Sequence, residues 1–353
     1  MLENRNKNIY RPLFVLLLLS LLICGCGIKE RTEDTLQEEY STGIFAMGTY
    51  MTLTAYGESA ENALELSVKR IRELEALWAV TDENSDIYRI NRGNGEAIEI
   101  RPETADLLRF ALDMAEQTGG RVDPTISPII TAWGFVSRDY KIPSDEELNT
   151  LLQFVGYENV QLEGNTVTLP EGVQLDPGAF GKGYAGDVAA ELLKEQGVTS
   201  ALLDIGGNIQ MIGRRPDGSK WRLGIQNPFG EGSLGVLESE DGAVVTSGNY
   251  ERYFLGEGGE QYGHIIDPSN GYPAENGLVS VSIIAKEGKL CDALSTAIYV
   301  MGLDEAINFW KENGDFEMLL VTEENEIYLT EGIERDFTLS ESYKDMKVYV
   351  ITK

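Results

Sequence analysis

Apolar and polar positions change period several times along this 353-residue chain, and each change predicts an element. Tyr50 to Tyr56, YMTLTAY, alternates and is rich in β-branched and aromatic residues, which predicts a strand. From Glu58 to Trp78, residues Ala60, Leu64, Ile71, Leu74 and Leu77 recur at helical spacing. A second helix is expected from Pro102 to Thr118, with proline at its start and Gly119-Gly120 after its end. Ser144 and Glu147 form a capping-box pattern ahead of Leu148, Leu151 and Leu152. A further helix is expected from about Gly183 to Gln196, stopped by Gly197.

The chain then turns strand-rich. The runs SALLDI, WRLGIQ, GAVVTS, RYFLG and VSVSIIA are separated by glycine, asparagine and proline turns. Two more helices, near Asp292 to Met301 and Asp304 to Glu312, precede closing strands at MLLVT, EIYLT and KVYVIT. Strands occur both in adjacent runs and between helices, so the expected class is α+β with a mixed or antiparallel sheet flanked by helices. No internal repeat or long linker interrupts the last 310 or so residues, a length that suits one large domain or two interleaved lobes.

The N-terminus has a different layout. Arg5, Lys7 and Arg11 precede the apolar run Leu13 to Ile23, which reads as a signal peptide over residues 1–25. The run ends in Ile23-Cys24-Gly25-Cys26, similar to a bacterial lipoprotein signal, with Cys26 as the lipidated residue because the small Gly25 precedes it. An uncleaved anchor is the alternative, although the run is short for a membrane span. Either layout tethers the chain facing the extracytoplasmic side. Residues 26–43, polar and charged in KERTEDTLQEEYST, are expected to form a flexible tether, with the folded domain over 44–353.

Charge narrows the partners. The chain has 29 basic and 58 acidic residues, a net charge of −29, which becomes −31 without residues 1–25. Such a surface repels nucleic acid and anionic head groups. A phosphate ligand would have to be held locally, by a cation or by backbone N–H groups. Only Cys291 follows Cys26, which excludes a cysteine metal cluster in the folded part.

Six segments carry candidate chemistry. In CDALSTAIYVMG, Asp292 and Thr296 stand at i and i+4, so their oxygens share a helix face as hard ligands suited to Mg²⁺. Asp292 equally reads as an ordinary residue of a helix N-terminus, favoured by the dipole. LDPGAFGKGYAGD brings three glycines and Lys182 to a helix entrance, where free N–H groups and a cation suit phosphate, although neither standard nucleotide fingerprint is present. ALLDIGGNI ends a strand in glycines that serve either an ordinary turn or the close passage of a flat ligand. VVTSGNYERYF offers Thr246, Ser247 and Asn249, and GGRVDPTISPIITAWGF offers Asp123 before a proline. GHIIDPSNGYP contains His264, the only histidine, hence the only imidazole available to move a proton near neutrality.

Taken in order, these segments resemble the ApbE family of FAD:protein FMN transferases. The resemblance rests on MGTYMTLTAYG, SDIYRIN, GGRVDPTISPIITAWGF, LDPGAFGKGYAGD, ALLDIGGNI, TSGNYER, HIIDPSNGYP and CDALSTAIYVMG, and runs from Ile44 to about Lys353. It implies an ApbE-like fold with an FAD cleft between lobes. It also implies Mg²⁺-dependent transfer of FMN from FAD to a threonine or serine hydroxyl of an acceptor protein, with release of AMP. Carried over by motif, Asp292, Thr296 and the main chain of Ala179, with Ser295 as a further candidate, would hold the metal. Met47, Asp123, Lys182, Asp187, Gly206, Gly207, Thr246, Ser247 and Gly248 would line the FAD cleft, with His264 as proton acceptor. The acceptors implied are exported or membrane-bound redox subunits or lipoproteins with Gly-Ala before the modified threonine. Hydrolysis of FAD to FMN and AMP, or flavin binding without catalysis, are the alternative activities. One departure stands out: WAVTDEN places Ala79 and Thr81 where many members have an aromatic over the isoalloxazine ring, leaving Trp78 or Tyr88 as substitutes.

Overall fold

A computed structural model describes residues 37–353. The expected signal peptide (1–25), Cys26 and most of the expected tether lie outside the described residues. The tether's end does not hold as drawn: Glu39–Ala46 is strand β1, paired along its length with β2 (Thr49–Tyr56). The polar run hid the strand because β1 is the last strand at one side of its sheet. Only Ile44 and Ala46 of it are buried, so alternating polar residues face solvent.

Ala46 pairs with Thr49, leaving Met47-Gly48 as a two-residue turn with φ of 50° and 73°. Positive φ at both positions is the primed geometry that matches hairpin twist. Asn or Gly normally fills the first of these, so Met47 holds a strained conformation worth about 1–3 kcal/mol. Its N–H donates to Glu75 Oε1 at 2.6 Å. Glu75 lies on α1 (Ala60–Trp78).

Next come α2 (Asp86–Asn91), β3 (Ile98–Glu99), α3 (Pro102–Gln117), α4 (Ser127–Ala132) and α5 (Asp145–Leu151). Ser144 caps α5 through Glu147 N, as the pattern predicts. The reciprocal half of the box is not made, since the Glu147 carboxylate pairs with Lys141 at 2.9 Å. β4 (Gln161–Glu163) and β5 (Thr166–Thr168) form a small sheet with β3. Then follow α6 (Gly181–Glu195), β6 (Ala201–Asp204), β7 (Asn208–Ile212), β8 (Trp221–Gln226) and β9 (Ser233–Ser239). β10 (Gly242–Gly248), β11 (Tyr253–Leu255), β12 (Gln261–Gly263) and β13 (Leu278–Ala285) lead into α7 (Gly288–Met301) and α8 (Leu303–Asn313). β14 (Glu317–Thr322), β15 (Glu326–Thr330), β16 (Phe337–Leu339) and β17 (Lys347–Ile351) end the fold.

Nine strands make the main sheet in the order β1-β2-β6-β7-β10-β13-β14-β15-β17. All neighbours are antiparallel except β15 and β17. Both faces are covered, which explains the unbroken apolar runs in β10 and β14. Ala243, Val245, Met318 and Leu320 face the helix layer, while Val244, Leu319 and Val321 face the β8-β9-β16 sheet. α1 and α6 cover β1, β2 and β6 through Ala63, Ile71, Ala189 and Leu193. α7 lies over β7, β10 and β13. The α+β class holds. Residues Gln37–Lys353 form one unit and do not separate into two lobes.

Candidate active site

The first turn of α6 runs into the N-terminal half of α7, and glycine makes the approach possible. A β-carbon on Gly183 would overlap the Gly288 carbonyl oxygen. With none there, Gly183 N–H donates to Asp292 Oδ2 at 2.8 Å. Asp292 is not the helix-end residue that its sequence position allows. It sits in the second turn of α7 and is 3 % exposed. Burial raises its carboxyl, opposed by the Lys182 charge and by the Gly183 and Lys182 amides.

Asp187, one turn further along α6, holds α7 from the other side. Its Oδ1 accepts from Gly288 N at 2.6 Å and from Gln210 Nε2 at 2.7 Å, and its Oδ2 accepts from Lys289 N at 2.9 Å. Both oxygens cap a helix N-terminus, so Asp187 positions Asp292 through α7. Ser295 Oγ donates to the Asp292 carbonyl at 2.9 Å and shares a 2.8 Å hydrogen bond with Ser247 Oγ from β10. Thr296 Oγ1 stands 3.5 Å from the same carbonyl.

This corner fits a hard cation held with substrate oxygens. Asp292 supplies one buried carboxylate, and Thr296 a hydroxyl on the same helix face. The carbonyl of Ala179 accepts no hydrogen bond among the described residues, because Gly183 N–H, its helical partner by spacing, is turned to Asp292. Among the described residues no group of three or more acidic, histidine or cysteine residues is placed to hold a metal ion, so the candidate set is one carboxylate, one hydroxyl and one carbonyl. That set would bind Mg²⁺ with open positions for phosphate.

His264 follows β12. Its backbone N–H and its Nδ1 each lie 3.1 Å from the Arg252 carbonyl. A carbonyl only accepts, so Nδ1 carries the ring proton and Nε2 keeps its lone pair. Phe135 meets the ring edge-on at 6.4 Å. Burial, with the Arg252 and Lys182 charges, lowers the imidazole from 6.5 to about 4, so it is neutral across the physiological range. The same charges reach three carboxylates. Burial raises Glu251, with Lys182 and Arg252 opposing, and raises Asp176, with Gly178 N–H and Arg252 opposing. Lys182 and Arg252 have no ion-pair partner within 4 Å among the described residues, and Lys182 is half-buried. Lys182 thus acts on both Asp292 and His264, and Asp176, Glu251 and Arg252 join the same electrostatic neighbourhood. For those three the sequence offers no signal beyond an aspartate before a proline and two ordinary charges in a loop.

The other expected residues stand around this group in differing roles. Asp123 is buried, and its carboxylate takes Thr125 N at 2.8 Å, Thr125 Oγ1 at 2.6 Å and Tyr157 N at 2.9 Å. It fixes the turn whose Pro124 carbonyl accepts from Asp176 N at 2.7 Å. Gly206 and Gly207 have φ of 63° and 88°, and a β-carbon on Gly206 would overlap Thr49 beside the Met47 turn. Gly248 lies against Tyr250 and the Val279 carbonyl. Thr246 and Ser247 separate by strand alternation: Ser247 faces α7, whereas Thr246 Oγ1 bonds Ser282 Oγ at 2.7 Å on the other face. Trp78 is buried edge-on against Tyr184 at 5.5 Å, and Tyr88 lies under the Arg92 guanidinium at 5.5 Å. Trp78 is therefore spent in the core and leaves no ring face for a flavin.

Comparison with known proteins places the chain in a family. The chain is 31% identical over 293 residues to a FAD:protein FMN transferase of Vibrio cholerae, covering 80% of this chain and 85% of that one. It is 30% identical over 338 residues to a FAD:protein FMN transferase of Treponema pallidum, covering 88% and 92%. The crystal structure of the ApbE protein of Thermotoga maritima superposes with a TM-score of 0.78 at 32% identity, covering 87% of this chain and 98% of that one. The sequence profile of the ApbE family matches residues 47–320. The chain belongs to the ApbE family.

Proposed function

We propose that this protein transfers FMN from FAD to a threonine or serine hydroxyl of an acceptor protein, releasing AMP. The observation that carries the reading is the fixed tautomer of His264. Its Nδ1–H is held by the Arg252 carbonyl, so Nε2 keeps a neutral lone pair within the field of Lys182, whose charge also acts on Asp292. Catching a flavin requires no such base. The relatives' names supply the substrate pair.

The chemistry needs three things: neutralised charge on the diphosphate, an in-line hydroxyl and an acceptor for its proton. Lys182 and the helix N-terminal amides of α6 provide positive potential in a protein whose overall field opposes an anion. Asp292, Thr296 and the Ala179 carbonyl would hold Mg²⁺, which supplies Lewis-acid neutralisation when bound. The acceptor oxygen forms a bond to the FMN phosphorus as the bond from that phosphorus to the bridging oxygen breaks. AMP leaves with the bridging oxygen, and the hydroxyl proton passes to His264 Nε2. Burial leaves the free imidazole a weak base; the diphosphate's negative charge raises its affinity for a proton once substrate is seated. In this reading Met47, Asp123, Gly206, Gly207 and Gly248 shape the FAD cleft. Thr246 contributes its main chain, and Ser247 and Asp187 hold α7 in place. The localisation we propose is lipid-anchored at Cys26 on the extracytoplasmic face, resting on the sequence signal alone. Among the described residues no helix is long and apolar enough to cross a membrane.

The test is incubation with FAD, Mg²⁺ and a carrier domain bearing a Gly-Ala-Thr segment. The expected products are a covalently fluorescent carrier and stoichiometric AMP. Free FMN with an unlabelled carrier would replace transfer by hydrolysis, and no AMP at all would leave only binding.

A further inference from the structure

The ribbon β11–β12 has one open side, and that side begins at the residue that holds His264. Arg252 and His264 form a hydrogen-bonded pair, as do Gly256 and Glu260. In an antiparallel ladder such pairs alternate, so Phe254 and Tyr262 form the pair between them. The N–H and C=O of Tyr253 and Leu255 therefore point away from β12. No hydrogen bond reaches them among the described residues. Alternation also divides the side chains. Phe254 stacks on Tyr140 at 5.1 Å and packs with Trp133, while Tyr253 and Leu255 are 46% and 61% exposed.

The two sides of the ribbon differ. Along β12, Gln261 Nε2 donates to the Asn249 carbonyl at 2.9 Å, and Gly263 lies against Asn249. On the β11 side Arg252 Nη2 reaches the Phe135 carbonyl at 3.4 Å, but no hydrogen bond leaves Tyr253–Leu255 for another segment among the described residues. Natural edges are commonly guarded by lysine or proline, and Tyr253–Leu255 contains neither. β1 and β17 end the main sheet and are also open, but their residues do not bond to those that hold His264.

A protein hydroxyl must reach Nε2 of His264 if the transferase reading is right, and on that reading this inference rests. We propose that the acceptor protein adds the segment carrying its modified hydroxyl to β11 as a third strand. Its main chain pairs with Tyr253 and Leu255, its side chains lie over those two residues, and the hydroxyl follows the paired stretch toward His264. Strand addition supplies affinity through backbone hydrogen bonds and so tolerates acceptors of varied sequence.

Leu255→Pro removes the outward N–H without touching a ladder bond of β12, whereas Leu255→Ser removes only the apolar side chain. With the Gly-Ala-Thr carrier domain as probe, Leu255→Pro is expected to raise the KM for carrier at least about tenfold, and Leu255→Ser less. FAD affinity, read by flavin fluorescence, stays within about twofold for both. Equal transfer by Leu255→Pro and the parent chain overturns strand addition and leaves the transferase reading intact. A parent that labels no carrier overturns both. A second measurement leaves β11 unsubstituted: in a His264→Ala chain, the Tyr253 and Leu255 amides should exchange hydrogen at least about tenfold more slowly when saturated with carrier than without it. Unchanged exchange there overturns the proposal.

Discussion

Gly183 N–H donates to Asp292 Oδ2 across 2.8 Å, and this bond, with those of Asp187, ties the helix that offers Lys182 to the helix that offers the buried carboxylate. Replacing the carboxylate by an amide keeps an acceptor for that N–H and removes the charge. Asp292→Asn is therefore expected to fold normally and to bind Mg²⁺ or Mn²⁺ at least about 100-fold more weakly, with transfer falling in parallel. Calorimetric titration with Mn²⁺ checks this, and an unaltered isotherm would move the metal elsewhere.

Gly183→Ala attacks the same junction sterically. The added carbon meets backbone, which cannot swing aside, so a loss of about 1–3 kcal/mol is expected with near-complete loss of transfer. Gly207→Ala is the control: open space surrounds it and only its positive φ is penalised. Thermal unfolding of the two variants should rank Gly183→Ala as the less stable, and the reverse order would contradict the packing argument.

His264 gives a pH prediction with a definite sign. Its folded pKa lies below the unfolded value, so burial of the neutral ring contributes stability that is full above 6.5 and lost as pH falls toward about 4. For catalysis, the acid limb of kcat/KM for FAD should fall below 6.5, because the free enzyme's base is already deprotonated there. His264→Ala should lower transfer by about 10²–10⁴-fold while FAD binding survives. An unperturbed limb at 6.5, or full labelling by the variant, counts against this base.

Asp86 in SDIYRIN has a structural task. Its side chain is fully buried and takes Arg89, Arg101 N, Arg101 Nη1 and Thr104 at 2.6–3.0 Å. Burial would raise this carboxyl, but the Arg101 amide, Arg89 and Thr104 together hold it below its ordinary value. Asp86→Ala leaves the Arg101 amide and the Thr104 hydroxyl unpaired, an expected loss of about 2–4 kcal/mol. Denaturant titration checks it, with FAD affinity unchanged at temperatures where the variant is folded. In the parent this contribution is present above the unfolded pKa and disappears as pH drops through the lowered one.

Periodicity exposed most of the frame. β8 coincides with WRLGIQ, and α1, α3, α6 and α8 start or stop within about three residues of the capping signals. β1 is obscured in the sequence because only Ile44 and Ala46 are buried, and α7 begins four residues before the expected Asp292 because Gly288 and Lys289 carry no start signal of their own. That cap comes from Asp187, 101 residues earlier, through the Gly288 bond. The site was legible as separate motifs, and their meeting was not. Asp176, Glu251 and Arg252 acquire meaning only from neighbours distant in sequence, while Thr246 and Ser247 look alike until the sheet sends them to opposite sides.

Trp133, Phe135, Phe254 and Tyr262 form an aromatic footing for the ribbon, set apart from the larger core that surrounds α7. Outward changes at Tyr253 or Leu255 therefore leave the seating of Asp292 undisturbed. A lineage adapting to new client proteins can rewrite the ribbon's outer face one residue at a time, while the machinery that cleaves the dinucleotide stays as it was.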